Sequence, residues 1–299
     1  MSLYDIVILT DSRYVSPSSP GQYVQNILTE DQMVFDALER KGLSVSRKDW
    51  ADPEMDWSGT SSVLFRTTWD YFDRFGEFKN WLLDTSSKTK LINSASLIQW
   101  NMDKHYLNEL TKAGVRVVPT RYIEVGSKLS LQRLHEITGW TDTVIKPTVG
   151  GAGRHTHRIS EDNLHIIERK LHPILELESF MLQPFQYSVP VEGEKSLVFF
   201  GTEFSHAVLK KARPGDFRVQ DDFGGTVHKY EATEEEIDFG LQAIYACPEL
   251  PAYARVDFIT DNSGSLAISE LELIEPELWF RLNPSAAEIL AEEILTRLG

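Results

Sequence analysis

The middle of the sequence carries a short apolar segment with a lysine, followed directly by glycines: VIKPTVGGAGR at residues 144–154. The apolar residues around Lys146 predict a β-strand, and the glycines after it predict a flexible loop. Backbone N–H groups of such a loop can approach phosphate oxygens closely, and a neighbouring lysine supplies positive charge. Because the lysine precedes the glycines, the segment is not a Walker A motif. Taken alone, it is typical either of a plain turn or of a phosphate site.

Three acidic residues nearer the C-terminus could bind the cation that accompanies such a phosphate. Asp257 lies in ARVDF at residues 254–258, and Glu270 and Glu272 lie in ISELEL at residues 268–273. Strand alternation puts Glu270 and Glu272 on one face, and a hairpin between the two segments would add Asp257. Like charges about 4 Å apart repel by about 4 kcal/mol at a dielectric of 20, so the group demands a cation or raised pKa values. Mg²⁺ suits such oxygen ligands, although a solvated strand face has the same pattern.

Strand and helix patterns follow one another along the chain. In the first hundred residues we expect strands at 6–9, 43–45, 62–65 and 91–93, and a helix that begins at a capping box of Thr29 with Gln32 and ends at Gly42. These patterns predict a parallel α/β sheet. Further on we expect a helix at 104–113, a strand at 143–146, hairpins of 197–200 with 205–210 and of 253–259 with 266–273, and a closing helix from Pro284.

Composition excludes several functional classes. A formal charge of −15 disfavours nucleic acid as a partner. The apolar runs are far shorter than the roughly 20 residues that cross a bilayer, and nothing resembles a signal peptide, so we expect no membrane contact and a cytoplasmic location. The single cysteine, Cys247, cannot form an internal disulfide and is expected to be buried packing.

An ordered set of residues resembles the ATP-grasp superfamily, most closely its glutathione synthetase-like branch. The set is Lys104, Lys146 with its glycine loop, QPF at 183–185, Glu194, Arg218, Asp257, Glu270 and Glu272. The resemblance implies an α/β, Rossmann-like N-terminal (pre-ATP-grasp) domain at 1–100. It implies next an α+β ATP-grasp domain of two subdomains, a central one at 101–180 with the glycine loop and a C-terminal one at 181–299 with the metal site. The run ELELIEP at 270–276 is also similar to the cyclising ligases of cycloserine biosynthesis.

The resemblance implies a role for each matching position. ATP phosphates would contact Lys104, Lys146 and the loop glycines, the adenine hinge would be the 183–185 backbone, and the ribose would be held by Glu194. Asp257, Glu270 and Glu272 would hold magnesium, and an acid at 272, where the branch often has asparagine, would suit two ions. Catalytic charge would come from Arg218, Arg255 and Lys210; Lys211 is an alternative to Lys210, and Arg255 could equally form a structural ion pair. The phosphate-contacting residues are Lys104, Lys146, Gly150, Gly151 and Gly153, and the hinge residues are Gln183, Pro184 and Phe185.

The implied function is an ATP- and Mg²⁺-dependent ligase. It would activate a small-molecule carboxylate as an acyl phosphate for attack by an amine-type nitrogen, either of a second substrate or of the same molecule. The alternatives are an ATP-grasp phosphotransferase and an ATP-binding sensor without catalysis. The segment RTTWDY at 66–71, after a predicted buried strand, is expected to contact substrate through Trp69 and its neighbours or to pack as a loop. A homo-oligomer is left open.

Overall fold

The computed structural model describes residues 3–219 and 223–298. The N-terminal third begins with an alternation of strands and helices. In chain order its elements are β1 (Tyr4–Thr10), α1 (Ser12–Val15), α2 (Gln22–Arg40), β2 (Val45–Asp49), a 3-10 helix (Trp57–Gly59), β3 (Thr60–Thr67), α3 (Phe75–Ser86), β4 (Lys90–Ile92), α4 (Ala95–Asn101) and α5 (Tyr106–Lys112). The four strands form one parallel sheet, sheet A, in the order β2-β1-β3-β4. The predicted parallel α/β arrangement of this region is therefore confirmed.

Two boundaries in this region differ from the prediction. Helix α2 begins at Gln22, so the capping box predicted at Thr29 is wrong: the Thr29 hydroxyl donates to the Gln25 carbonyl inside the helix. The helix does end near Gly42, whose φ of +86° suits glycine. Strand β2 starts at Val45 rather than Leu43, because the Leu43 N–H still bonds back to the Leu38 carbonyl at the end of the helix.

The central part of the chain forms a small sheet of its own, sheet C. Its elements are β5 (Arg121–Ile123), α6 (Leu131–Thr138), β6 (Thr143–Pro147), β7 (His157–Ile159), α7 (Leu164–Leu171) and β8 (Phe180–Pro184). The strands are antiparallel in the order β5-β8-β6-β7. Helices α6 and α7 pack on the sheet, and the core between them is built from residues 123–182 alone. Strand β6 delivers Lys146 to the glycine loop, which joins β6 to β7, as predicted.

The last third forms sheet B. Its elements are α8 (Val189–Glu192), β9 (Glu194–Phe200), β10 (Glu203–Lys211), β11 (Thr226–Tyr230), α9 (Glu234–Tyr245), β12 (Tyr253–Thr260), β13 (Leu266–Glu272) and α10 (Ala286–Leu298). The strands are antiparallel in the order β11-β10-β9-β12-β13. Both predicted hairpins are confirmed. Helix α9 carries a reciprocal capping box of Thr233 with Glu236, a signal that the sequence prediction missed.

Sheets A and B share a hydrophobic core, whereas sheet C has a core of its own and adds Met181 of β8 to a second cluster built mostly from sheet B. One buried cluster joins β1, α2 and β3 to β9 and α10. Asn93, which is 3 % exposed, ties the two sheets further: its amide donates to the carbonyls of Tyr253 (3.0 Å) and Leu273 (2.8 Å), and its oxygen accepts from the Ala252 N–H. The predicted domain limits at 100 and 180 stay a prediction, and β8 runs across the second one.

The helices of the described ranges are short or polar. In residues 3–219 and 223–298, none is both long and apolar enough to span a bilayer.

Candidate active site

A cavity of about 290 Å³ opens where the three sheets meet. Its size and mixed polar and apolar walls are typical of a small-molecule site. Sheet A contributes the loop after β3, sheet C contributes the glycine loop and β8, and sheet B contributes the inward faces of β9, β10, β12 and β13. All of the residues predicted to carry chemistry line this cavity: Lys104, Lys146, Gly150, Gly151, Gly153, Gln183, Pro184, Phe185, Glu194, Lys210, Arg218, Arg255, Asp257, Glu270 and Glu272.

The two predicted lysines meet at one acid, although they lie 42 residues apart in sequence. The Nζ of Lys104 is 3.1 Å from Glu270 Oε1, and the Nζ of Lys146 is 3.7 Å from Glu270 Oε2. Burial opposes ionisation of Glu270, but the two ammonium groups outweigh it and hold the pKa of Glu270 below its ordinary value. Lys104 also donates to the carbonyl of Gly150 at 2.6 Å, so one lysine ties the acid to the glycine loop.

A second ionic group lies beside the first on the same hairpin. Asp257 and Glu270 are direct partners across β12 and β13, and Arg255 is opposite Glu272. The guanidinium of Arg255 donates from Nε to Asp257 Oδ1 and from Nη2 to Asp257 Oδ2, both at 2.9 Å, and it also binds Glu272. Asp257 is buried, yet Arg255 and Lys210 keep its pKa well below the ordinary range. The predicted shared face of the three acids is thus present.

Lys210 lies in the same ionic group, and Lys211 does not. The Nζ of Lys210 is 2.8 Å from Asp257 Oδ2 and 2.5 Å from Glu194 Oε1. Burial opposes the charge on Lys210, but the two carboxylates outweigh burial and raise the pKa of the ammonium. Strand alternation turns the next residue, Lys211, to the exposed face. Of the two lysines left open by the sequence, the cavity contains Lys210.

The acids suit a hard cation that shares its ligands with a bound anion. In the described residues, no group of three or more His, Cys, Asp or Glu side chains forms a metal-binding cluster by itself. Asp257, Glu270 and Glu272 nevertheless offer only oxygen ligands on adjacent strand positions, next to lysines that would face phosphate oxygens. Mg²⁺ characteristically takes one or two carboxylates together with phosphates. The donor set therefore fits magnesium in company with a nucleotide.

The glycine loop lies against the loop that follows β3. A Cβ on Gly151 would come within 3.1 Å of the Phe72 ring, and one on Gly153, whose φ is +66°, would meet the Phe223 ring at 2.6 Å. Arg154 ends the loop with an ion pair to Asp73 at 3.1 Å and with two 2.6 Å bonds to Glu178. Side chains larger than hydrogen at the two glycines would clash with these rings, so the loop could not pack against them as it does.

The predicted adenine hinge lies on the cavity wall, but part of its backbone already bonds within the protein. The Phe185 N–H donates to the Asp142 carbonyl at 2.9 Å, and the Phe185 carbonyl accepts from the Asn262 amide at 2.8 Å. The Gln183 side chain donates to the Thr120 hydroxyl. The guanidinium of Arg158 lies 3.6 Å from the centre of the Phe185 ring, a cation–π contact that holds the ring in place.

Arg218 and Glu194 both line the cavity. The guanidinium of Arg218 donates to Asp216 at 2.9 and 3.1 Å and stacks on the Phe223 ring at 3.7 Å. Those donors hold the pKa of Asp216 well below its ordinary value. Glu194 accepts from the Ser269 hydroxyl at 2.8 Å in addition to its pair with Lys210. Both predicted site residues are therefore held by protein contacts that orient them.

The loop after β3 contributes aromatic rings, and only part of the predicted segment reaches the cavity. Trp69 and Tyr71 line it. Arg66, 2 % exposed, instead donates to the Pro276 carbonyl at 3.0 Å, and Asp70 accepts from the Trp50 indole. The prediction of substrate contact is thus restricted by geometry to the aromatic members of the segment.

Tyr23, Glu275 and Trp279 are among the lining residues that received no role from the sequence. Glu275 belongs to the quoted run 270–276 and could have been singled out, since it continues the series of acids beyond Glu272. Burial, followed by the proximity of Glu272, raises the pKa of Glu275 to about 8. Burial likewise raises the pKa of Glu272 to about 7, with Asp257 adding to the shift and Arg255 opposing it.

Comparison with known proteins agrees with the geometry. Residues 6–93 match the family model described as D-cycloserine synthetase DcsG, N-terminal domain. The cycloserine biosynthesis protein DcsG of Streptomyces lavendulae is 30% identical over 284 residues, which cover 89% of this chain and 92% of the relative.

Solved structures are similar in fold over nearly the whole chain. The crystal structure of a D-cycloserine synthetase DcsG superposes with a TM-score of 0.87 at 28% identity, covering 98% of this chain and 99% of that one. The D-alanine–D-alanine ligase of Bacillus anthracis in complex with ATP shares the fold at 13% identity, with a TM-score of 0.65 over 98% of this chain and 96% of its own.

Proposed function

This chain belongs to the D-cycloserine synthetase DcsG family of ATP-grasp ligases, and from that premise we propose that it joins a carboxylate to a nitrogen through an acyl phosphate. The observation that carries the proposal is the meeting of Lys104 and Lys146 at Glu270, beside the glycine loop and opposite Asp257. A cavity with this charge pattern suits a triphosphate and a divalent cation. The names of the relatives refer to cycloserine, a cyclic amide whose ring nitrogen is bonded to oxygen. We therefore extend the proposal to ring closure within a serine-derived amino acid.

The nucleotide would lie between sheets B and C. Its phosphates would contact Lys104, Lys146 and the N–H groups of Gly150, Gly151 and Gly153. Its adenine would lie along residues 183–185 and its ribose against Glu194. Asp257, Glu270 and Glu272 would hold Mg²⁺, which neutralises phosphate charge when bound. In exchange, Arg255 and Lys210, which bind these acids in the structure, would be freed to face the reacting groups.

The chemical step needs positioning and charge rather than a covalent enzyme nucleophile. An oxygen of the substrate carboxylate attacks the γ-phosphorus, the bond from that phosphorus to the β,γ-bridging oxygen breaks, and ADP leaves. Arg218, Arg255 and Lys210 would stabilise the charge that develops on the transferred group. The lone pair of the nitrogen then attacks the acyl carbon, the bond to phosphate breaks, and the nitrogen loses a proton as the amide forms. The glycine loop, latched by Arg154 to Asp73, would exclude water from the acyl phosphate.

The test is product analysis with a defined substrate panel. The protein is mixed with ATP, Mg²⁺ and O-amino or O-ureido derivatives of D- and L-serine, and phosphate release and product mass are followed. We expect ADP, phosphate and a cyclic product of at least one derivative. A phosphorylated compound that accumulates without forming an amide would instead identify a phosphotransferase. ATP binding without turnover of any carboxylate would identify a sensor.

A further inference from the structure

Within residues 3–219 and 223–298, the acidic side chains that line the cavity are paired with a cation, with one exception. Most of the lining acids have a lysine or arginine within ion-pair distance: Glu194, Asp257, Glu270, Glu272 and Glu277. Among the lining acids of the described ranges, Glu275 alone has no cation at that distance. A half-buried carboxylate in a cavity is stabilised by a cation, so the unpaired acid marks where positive charge from a ligand is most favourable.

Glu275 is held firmly at this position. The Trp69 indole donates to the Glu275 carbonyl at 2.9 Å, Arg66 donates to the next carbonyl, that of Pro276, at 3.0 Å, and the Tyr253 hydroxyl donates to the preceding one, that of Ile274, at 2.8 Å. Three consecutive carbonyls are thus fixed by buried or half-buried side chains. The carboxylate is presented by a rigid segment, which lowers the entropic cost of binding a ligand there.

The surroundings of Glu275 favour an organic cation over a metal ion. Trp69 lines the cavity with Tyr23, and their ring centres are 6.4 Å apart. Glu275 thus lines the same cavity as the rings of Trp69 and Tyr23, and a carboxylate that shares a cavity with aromatic rings is typical of ammonium recognition, whereas Mg²⁺ requires several oxygen ligands. The face of the other lining tryptophan, Trp279, is already covered by the guanidinium of Arg255 at 5.1 Å.

We propose that Glu275 binds the ammonium group of the substrate and so selects amino acids as substrates; this assignment rests on the proposed ligase function. Glu275 follows Glu272 by three residues, so their Cα atoms are at most about 11 Å apart. A small amino acid with one contact at each end fits that distance. Its carboxylate would then lie toward the acids and lysines of the phosphate region, and its ammonium would lie at Glu275.

The first experiment uses the unaltered protein and compares each serine derivative with its analogue that lacks the amino group, 3-(aminooxy)propanoate or 3-(ureidooxy)propanoate. A charge-assisted hydrogen bond lost on removal of the amine lowers kcat/KM by about tenfold to a hundredfold. Equal kcat/KM for the two compounds would overturn the assignment. If neither compound gives product or ADP, the proposed function fails, and the assignment fails with it.

The second experiment is a double-substitution cycle between protein and substrate. Glu275→Gln keeps the shape of the side chain and the backbone contacts. The variant should have a KM for the serine derivative that is at least about tenfold higher, and a KM for ATP within about twofold of the parent value. It should also turn over the serine derivative and its desamino analogue with similar kcat/KM. Glu277→Gln is the matched control, because Arg281 already neutralises Glu277, and it should still discriminate against that analogue. A Glu275→Gln protein with unchanged melting temperature that retains full discrimination would refute the assignment.

Discussion

Replacing Lys210 with methionine should destabilise the protein, and replacing its neighbour Lys211 should not. At 2.8 Å from Asp257 and an effective dielectric of 20, the attraction is about 6 kcal/mol before desolvation is subtracted. Removing one partner of such a buried group costs roughly 3–5 kcal/mol, because the other charge stays buried. Asp257 keeps Arg255, but Glu194 loses its only cation among the described residues, so about 3 kcal/mol is expected.

The assay is thermal unfolding without nucleotide. At roughly 2 °C per kcal/mol for a chain of this length, Lys210→Met should lower the melting temperature by about 6 °C. Lys211→Met removes the same charge from the exposed face of the same strand and should shift it by no more than about 1 °C. Equal melting temperatures for the two variants would refute the buried ionic group. ATP turnover should be lost only in the Lys210 variant.

Three further predictions concern other parts of the molecule. Asn93→Ala removes three bonds between sheets A and B and should lower the free energy of unfolding by about 2–4 kcal/mol in urea titrations, whereas an unchanged midpoint would contradict this coupling. Gly240→Ala would bring a methyl group to 2.9 Å from the Phe199 ring and should cost about 1–3 kcal/mol, measured in the same way; a variant as stable as the parent would show that the contact can relax. Burial raises the pKa of Cys247 to about 12, so the thiol should resist iodoacetamide at pH 8 in the native protein and react after unfolding; rapid native labelling would show that it is accessible.

Local periodicity predicted most of the strands and the strand face shared by Asp257, Glu270 and Glu272. Asp257 and Glu270 pair across their hairpin as the alternation of ARVDF and SELEL predicts, although the register shifts between Asp257 and Phe258, which alternation did not predict. The same reasoning failed at Thr29, where a residue pattern typical of a helix start lies inside a long helix. Tertiary packing of Ile27 and Val34 in the core extends that helix toward its N-terminus.

The sequence pattern could not predict which side chains from distant strands form ion pairs. Alternation placed Arg255 beside Asp257 but did not show that Lys210 would lie between Asp257 and Glu194, since that depends on the pairing of β9, β10 and β12. The approach of Lys104 and Lys146 to Glu270 followed only from the family resemblance. Glu275 was missed because its position depends on donors from sheet A, which lie some 200 residues away in sequence.

The separate core of sheet C has a mechanical consequence. Sheets A and B share apolar packing and are pinned by Asn93, so they should behave as one rigid body. Sheet C encloses an apolar interior of its own, and its contacts with sheet B include Met181, which packs in that sheet's core, and the pair of Lys146 with Glu270 on β13. Because its main core is separate, we expect sheet C to tilt relative to sheets A and B when nucleotide enters and ADP leaves. A crosslink between sheet C and sheet A, for example across Asp73 and Arg154, should therefore prevent a nucleotide already bound in the cavity from leaving.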